Sequence, residues 1–342
     1  MKVELQNLSS REKQVLKAVV ENYILKNAPV GSTILKKKYA FNCSPATIRN
    51  TMSSLEKKNL LMHTYTSSGR IPTDLGYRFY VDHLLHPQNT STNQLGPLED
   101  ELNQSSNNID DLLNTTVSML SKISHLFGVA MILQYEKSIL NEVELVRLSS
   151  DRVMMVLGMR SGIVRSIVLN LKVEINDSSI INVTQLLKEK LLGLTLEEIQ
   201  NTISDRMKDS PLLEHEIIQI LLHDPKVNFD IPNEHIVFTS SNRELLDQPE
   251  YQEVENLQNT LIAIDNDNVA HYFKTYLNSE NNFMLIGSEN METMYDQCTV
   301  ATHAFSGTSF QGQIGIIGPT RIPYAKVIQT LNQFKEIMNR VC

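Results

Sequence analysis

"SPATIRNTMSSLEKK" at residues 44–58 decides how the fold is read. Ser44 can accept hydrogen bonds from the free N–H groups that open a helix, and Pro45 suits the first helical position, where no N–H is needed. Ile48, Met52 and Leu55 then recur at i, i+4 and i+7, which turns them toward a core. The opposite face carries Ala46, Arg49, Asn50, Ser53 and Lys57, with Ser44 and Thr47 at its N-terminal end. Arg pairs with guanine O6/N7, Asn pairs with adenine, and small Thr and Ala side chains can meet a thymine methyl, so this is the set a major-groove reader needs.

Upstream, Ser9 and Glu12 form an S-x-x-E capping box ahead of Val15, Leu16, Val19, Val20, Tyr23 and Ile24 at helical spacing. Pro29 ends that helix. Ser32 is the expected N-cap of a second one through "ILKKKYAF" (34–41), and Asn42 and Cys43 make the tight turn of a helix-turn-helix. Downstream, "LLMHTY" (60–65) reads as a strand, "TSSGR" (66–70) as a turn with Gly69 at its tip, and "IP" (71–72) as the return strand. Thr73 then caps a fourth helix with Tyr77, Tyr80, Val81 and Leu84. The whole predicts a winged helix-turn-helix DNA-binding domain over 1–86. Arg70 at the wing tip would enter a minor groove or meet phosphate, and Lys36, Lys37 and Lys38 would neutralise backbone charge. A solvated face is the alternative for the lysine run, and helix-turn-helix geometry also occurs in domains that bind no DNA.

Charge supports the reader. The 342 residues carry 31 Lys and Arg against 39 Asp and Glu, a formal −8 that taken whole argues against a polyanionic partner. Residues 1–86 alone hold nine Lys and four Arg against six acidic residues, a formal +7, while 87–342 hold 18 basic against 33 acidic, a formal −15. A basic head on an acidic body keeps polyanion binding in the head. No run of eighteen apolar residues exists to span a membrane, and "MKVELQNLSSREK" has neither a signal-peptide core nor an arginine-rich amphipathic pattern. Cys43, Cys298 and Cys342 show no CxxC spacing, which argues against a disulfide framework or zinc site; a cytoplasmic protein is the expectation.

The body begins with a polar linker, "HPQNTSTNQLGP" (86–97), and a connector helix whose apolar stripe from Leu98 to Ile123 is interrupted at Ser105 and Ser106, the linker and helix together spanning 87–125. Strands follow at 128–135, 142–148, 152–159 and 162–170, with "RSG" (160–162) a hairpin turn, and read as one antiparallel meander. After a mostly helical block from 181 to about Asn278, broken by a strand at 235–240, strands return at 283–287, 298–305 and 311–318 before a helix from Tyr324 to Val341. This pattern predicts a multidomain α+β chain. One sheet domain, in parts 126–177 and 281–342, is split by an inserted domain at 178–280, and strands ending near Asn170 pair with strands starting near Phe283.

No P-loop, G-x-G-x-x-G, H-E-x-x-H or G-x-S-x-G occurs, so neither an enzyme nor a cofactor is expected. His215 and His223 lack a third ligand at metal spacing. Cys298 and His303, five apart on a strand, point to opposite faces rather than forming a nucleophile and base. "GIIGPTR" (315–321) reads as a strand-to-helix turn with Gly318 at a special backbone angle and Arg321 at the surface.

Residues 29–61, "SSGRIPTDLGYRFYVD" (67–82), "IGSEN" (286–290) and "GIIGPTRIPYAKVI" (315–328) together resemble the heat-inducible transcription repressor HrcA family, over nearly the entire chain and in family order. The resemblance implies a repressor of chaperone operons (groE/dnaK type) that binds an inverted-repeat operator in double-stranded DNA as a homodimer. It also implies dependence on the GroE chaperonin, loss of activity on heat stress, and a GAF-like sheet domain split by the inserted domain at 178–280, which would be the dimerising one. The alternative is a winged-helix repressor governed by a small ligand in that GAF-like domain. A winged helix fused to a biotin-ligase-type enzyme would need a glycine- and arginine-rich nucleotide loop that the body lacks.

Overall fold

The computed structural model describes residues 8–63, 69–85, 95–105, 109–133, 135–230, 236–252, 254–276, 283–306 and 310–341. The expected wing turn at 66–68, with Thr64 and Tyr65, lies outside them, as do linker residues 86–94 and Ser106.

The head starts with α1 (Ser10–Lys26), opened by the expected capping box of Ser9 and Glu12. A shorter α2 (Ser32–Lys38) follows, capped at Gly31 rather than Ser32 and ended by extended Tyr39, so the turn to α3 (Pro45–Lys57) is longer than expected. β1 (Leu61–His63) and β2 (Arg70–Pro72) pair antiparallel, Leu61 opposite Pro72. α4 (Asp74–Phe79), capped by Thr73, continues into a π-helical turn, Tyr80–Leu84. Val15, Leu16, Val19, Val20, Leu35, Ile48, Met52, Leu55 and Leu60 are buried together, as their spacing required.

In place of one long connector, α5 (Leu95–Ser105) and α6 (Ile109–Ser124) are separate helices, and α5 includes the last three residues expected in the linker. β3 (Phe127–Leu133) is followed by β4 (Leu140–Arg147), β5 (Arg152–Met159) and β6 (Val164–Asn170). Then come α7 (Asp177–Leu191), α8 (Leu196–Met207), α9 (Glu216–His223), α10 (Pro225–Asn228), β7 (Val237–Thr239), α11 (Arg243–Leu246), α12 (Val254–Ala263) and α13 (Asn266–Tyr276). The chain closes with β8 (Met284–Ile286), β9 (Cys298–Ser306), β10 (Gln311–Pro319) and α14 (Tyr324–Val341).

Mixed α+β architecture is as expected, but two strand pairings differ. The meander has three strands, β4-β5-β6, in a sheet of its own, while β3 sits in a five-stranded sheet ordered β7-β3-β10-β9-β8. β6 therefore meets no strand from beyond Phe283. The pairing that spans the chain is β3 with β10, Leu133 opposite Gln311 through Phe127 opposite Ile317. β3 goes there because Phe127 and Val129 to Ile132 are all buried: an unbroken apolar run suits a strand covered on both faces, whereas β5 alternates exposed or half-exposed with buried residues. α6 and α14 pack on one face of the five-stranded sheet, and Phe273 of α13 approaches Gly315 on the other.

Gly318 does not have the special backbone angle expected of it; its bareness makes room, since a Cβ would stand 2.6 Å from Leu126. Gly287, not singled out by the sequence, does need a glycine's freedom, with φ +54, as do Gly162 and Gly193 in other turns.

Candidate nucleic-acid interface

α3 is built as its sequence dictates. The Ser44 hydroxyl accepts from Thr47 N–H at 3.1 Å and meets the Thr47 hydroxyl at 3.0 Å, so these two side chains are tied into the cap. Ala46, Arg49, Asn50 and Lys57 are exposed, and Ser53 is half-buried on the same side. α3 packs on α1, α2 and β1 with that row turned away.

One group that anchors the helix was missed. Glu12, read only as part of the capping box, also accepts from the Ser54 hydroxyl at 2.9 Å and from Lys58 at 2.7 Å, bolting the end of α3 to the start of α1. Burial works to raise its pKa, but the bonds from Lys58, Ser9 and Ser54 outweigh it and bring the carboxyl to about 2. A Ser and Lys one turn apart at the end of α3 were the available signal, legible only once the partner helix is known.

The other expected contacts divide. Lys37 is exposed, whereas Lys36 donates to the Phe41 carbonyl and Lys38 to Asn22 Oδ1 at 3.0 Å, so two of the three lysines already serve the head's own fold. Arg70 corrects the expectation of a wing-tip residue: its Nε donates to Glu56 Oε2 at 2.9 Å, its Nη1 to the Gly69 carbonyl at 3.3 Å, and its backbone bonds to Val30. With its side chain only 15% exposed, it is spent on holding the ribbon to the helices.

The head is joined to the body by side-chain contacts far from the polar linker. Arg78 Nε donates to Glu289 Oε1 at 2.8 Å and its Nη2 to the Met284 carbonyl at 2.7 Å. Burial works against the Arg78 charge, yet the bonds to Glu289 more than offset it and its pKa lies above the usual value. Ser288 N–H donates to Asp74 at 2.9 Å, and Tyr77 and Tyr80 stack near Tyr324 with ring centres 5.5 and 6.4 Å away. Arg321, expected at the surface, is 13% exposed and donates to the Ile24 carbonyl at 2.8 Å and to Glu250 at 3.0 Å.

Of the residues weighed for chemistry, His215 caps α9 by accepting from Ile217 N–H at 3.3 Å. Cys298 is buried, with burial pushing its thiol up to about 12, and His303 bonds Asn332 at 2.7 Å.

A basic head of helices and a two-stranded ribbon is thus clasped to an acidic α+β body. The profile described as "HrcA protein C terminal domain" matches residues 110–328. A heat-inducible transcription repressor HrcA of Chlorobium phaeobacteroides is 30% identical over 95% of this chain and 96% of its own. That of Symbiobacterium thermophilum is 31% identical over the same shares. A crystal structure of a hypothetical protein superposes with a TM-score of 0.65 at 18% identity, covering 98% of this chain and 100% of the other. The chain belongs to the HrcA family of heat-inducible transcription repressors. No helix among the described residues is long and apolar enough to cross a membrane.

Proposed function

We propose that the head is a winged helix reading an inverted-repeat operator upstream of chaperone operons, that the chain does so as a homodimer, and that the GroE chaperonin keeps it active until heat stress. The observation that carries the reading is the row Ala46, Arg49, Asn50, Ser53 and Lys57, held facing solvent by the bolt from Glu12. Mobility shift on chaperone-operon upstream DNA, with the inverted repeat scrambled as control, tests it; equal binding to both would overturn it. Arg49→Ala is expected to lose about 1–3 kcal/mol on the operator and almost nothing on random DNA. Lys37→Ala should instead weaken both alike and flatten the salt dependence, because a phosphate contact releases counterions without reading sequence.

The domain divisions follow the sheets. β3 and β7 are neighbours in the five-stranded sheet, which we read as GAF-like, so the inserted block is the stretch between them, about 138–230, instead of 178–280. Its three-stranded sheet buries Val143, Leu145, Val153, Met155 and Leu157 on one face. The other face shows Val146, Val164 and Val168, at 43, 57 and 42% exposure, with Met154 paired between Val146 and Val168. An inverted repeat demands two-fold symmetry, and an apolar sheet face suits a second copy. Val164→Asp with Val168→Asp is expected to turn a sedimenting dimer into a monomer; a dimer that survives both charges places the contact elsewhere.

The small-ligand reading draws on a cavity of about 1090 Å³ whose lining includes Met131, Tyr135, Gln200, Lys274 and Thr302. A metabolite that raises the melting temperature and releases the operator would favour it.

A further inference from the structure

We propose that Arg78, Asp74 and Arg321 are positioning residues that set the spacing between half-sites the repressor accepts; this rests on the operator reading above. Three of the stretches that carry the family resemblance, 67–82, 286–290 and 315–328, lie far apart in sequence and meet at the joint between head and body. Three contacts fix the joint. At the first, Arg78 spans two acceptors on the body, the Glu289 carboxylate and the Met284 carbonyl, and Glu289 is itself held by Ile286 N–H at 2.9 Å. At the second, Ser288 N–H holds the Asp74 carboxylate, and the approach is so close that a Cβ on Gly287 would stand 2.3 Å from that carboxylate. At the third, Arg321 donates to the Ile24 carbonyl, one of the C-terminal carbonyls of α1 that the helix cannot pair internally, while Glu250 aims the guanidinium. The first two adjoin, with Asp74 and Arg78 one turn apart on α4, and the third engages the end of α1, so the head is held through two of its helices.

Both body-side segments follow directly on strands of the five-stranded sheet, Gly287–Glu289 on β8 and Thr320–Tyr324 on β10. The head's orientation is thus referred to that sheet, and α3 faces outward from the clasped position. In a dimer of bodies, two clasped heads present their reading helices at one separation and one angle. Two heads freed of these contacts are no longer held to one separation and one angle. The clasp therefore selects spacing without touching a base.

The test uses the full chain, with inverted repeats at the native spacing and at spacings changed by half a helical turn, about 5 bp, and a single half-site as reference. Arg78→Gln, Glu289→Gln and the double variant should keep the single half-site affinity. Their preference for native over shifted spacing should fall about tenfold or more, with the double no worse than the worse single, since both remove one contact. Adding Asp74→Cys with Ser288→Cys to Arg78→Gln should restore the preference when the disulfide forms and lose it on reduction, a rescue that general destabilisation would not show. Unchanged spacing preference in all three variants, or no restoration by the formed disulfide, overturns the proposal. Loss of single half-site binding in the unsubstituted chain would instead sink the operator reading on which it rests.

Discussion

Asn290→Ala is expected to destabilise the fold by about 3 kcal/mol or more, since each buried group left without a partner costs about 1–3 kcal/mol. The two hydrogens of the Asn290 amide nitrogen are shared among the carbonyls of Gly287, Tyr295 and Cys298, at 2.8, 2.9 and 2.9 Å, and its oxygen accepts from the Tyr272 hydroxyl at 2.7 Å. All of this is buried, beneath the Tyr272 and Tyr295 rings, whose centres lie 4.2 Å apart. One side chain thus ties the loop from β8 to β9 to itself, and removing it takes the amide partner from the Tyr272 hydroxyl and from the Tyr295 and Cys298 carbonyls, while the Gly287 carbonyl keeps the backbone N–H of residue 290. Asn290→Asp is the sharper variant: nearly the same shape, but at neutral pH its carboxylate faces carbonyl oxygens in place of an N–H₂ group. Urea unfolding checks both. An unchanged midpoint for Asn290→Asp would show that the amide is not the keystone of that loop.

Unassisted refolding is expected to recover little operator binding, and chaperonin with ATP to recover most of it. The physical route is the closure of β3 on β10, where Leu133 meets Gln311 across 311 − 133 = 178 positions. Closing so long a loop costs about 2–3 kcal/mol more than closing one of about ten residues, and no contact offsets that before the strands meet. Until then β3, with Phe127 and Val129 to Ile132 bound for burial, is an apolar strand whose β10 edge is open. The joint adds a consequence. β10 leads directly into Arg321 and Tyr324, so a body whose sheet has not closed cannot clasp its head, even where the head's own core has formed. Denatured chain, refolded at physiological concentration and temperature with and without chaperonin, is assayed on the operator. Full and equally fast recovery without chaperonin would refute this account.

What the sequence determined by itself was everything that a few neighbouring residues can decide. Ser9 with Glu12, Ser44 with Pro45, and Thr73 opened the helices where their caps predicted, because a capping side chain reaches only three residues along. The core face and exposed row of α3 followed from the 3.6-residue period, and β5, β9, β10 and α14 fell within a residue or so of their expected ranges. Charge asymmetry separated head from body for the same reason: it is a property of composition.

Tertiary structure decided which edges met. Four successive strands from β3 to β6 are equally compatible with one antiparallel sheet or two, and the choice was made by the edge partner that β3 finds 178 positions away in β10, with helices covering the faces of the sheet they form. It also decided which charged side chains stayed free. Lys36, Lys37 and Lys38 are alike in sequence, and only the placement of Phe41 and Asn22 commits the outer two. Arg70 and Arg321 read as surface arginines, yet Glu56 and Ile24 take them inward. An arginine's reach exceeds the distance over which local pattern carries information, so its partner is set by the packing of whole elements.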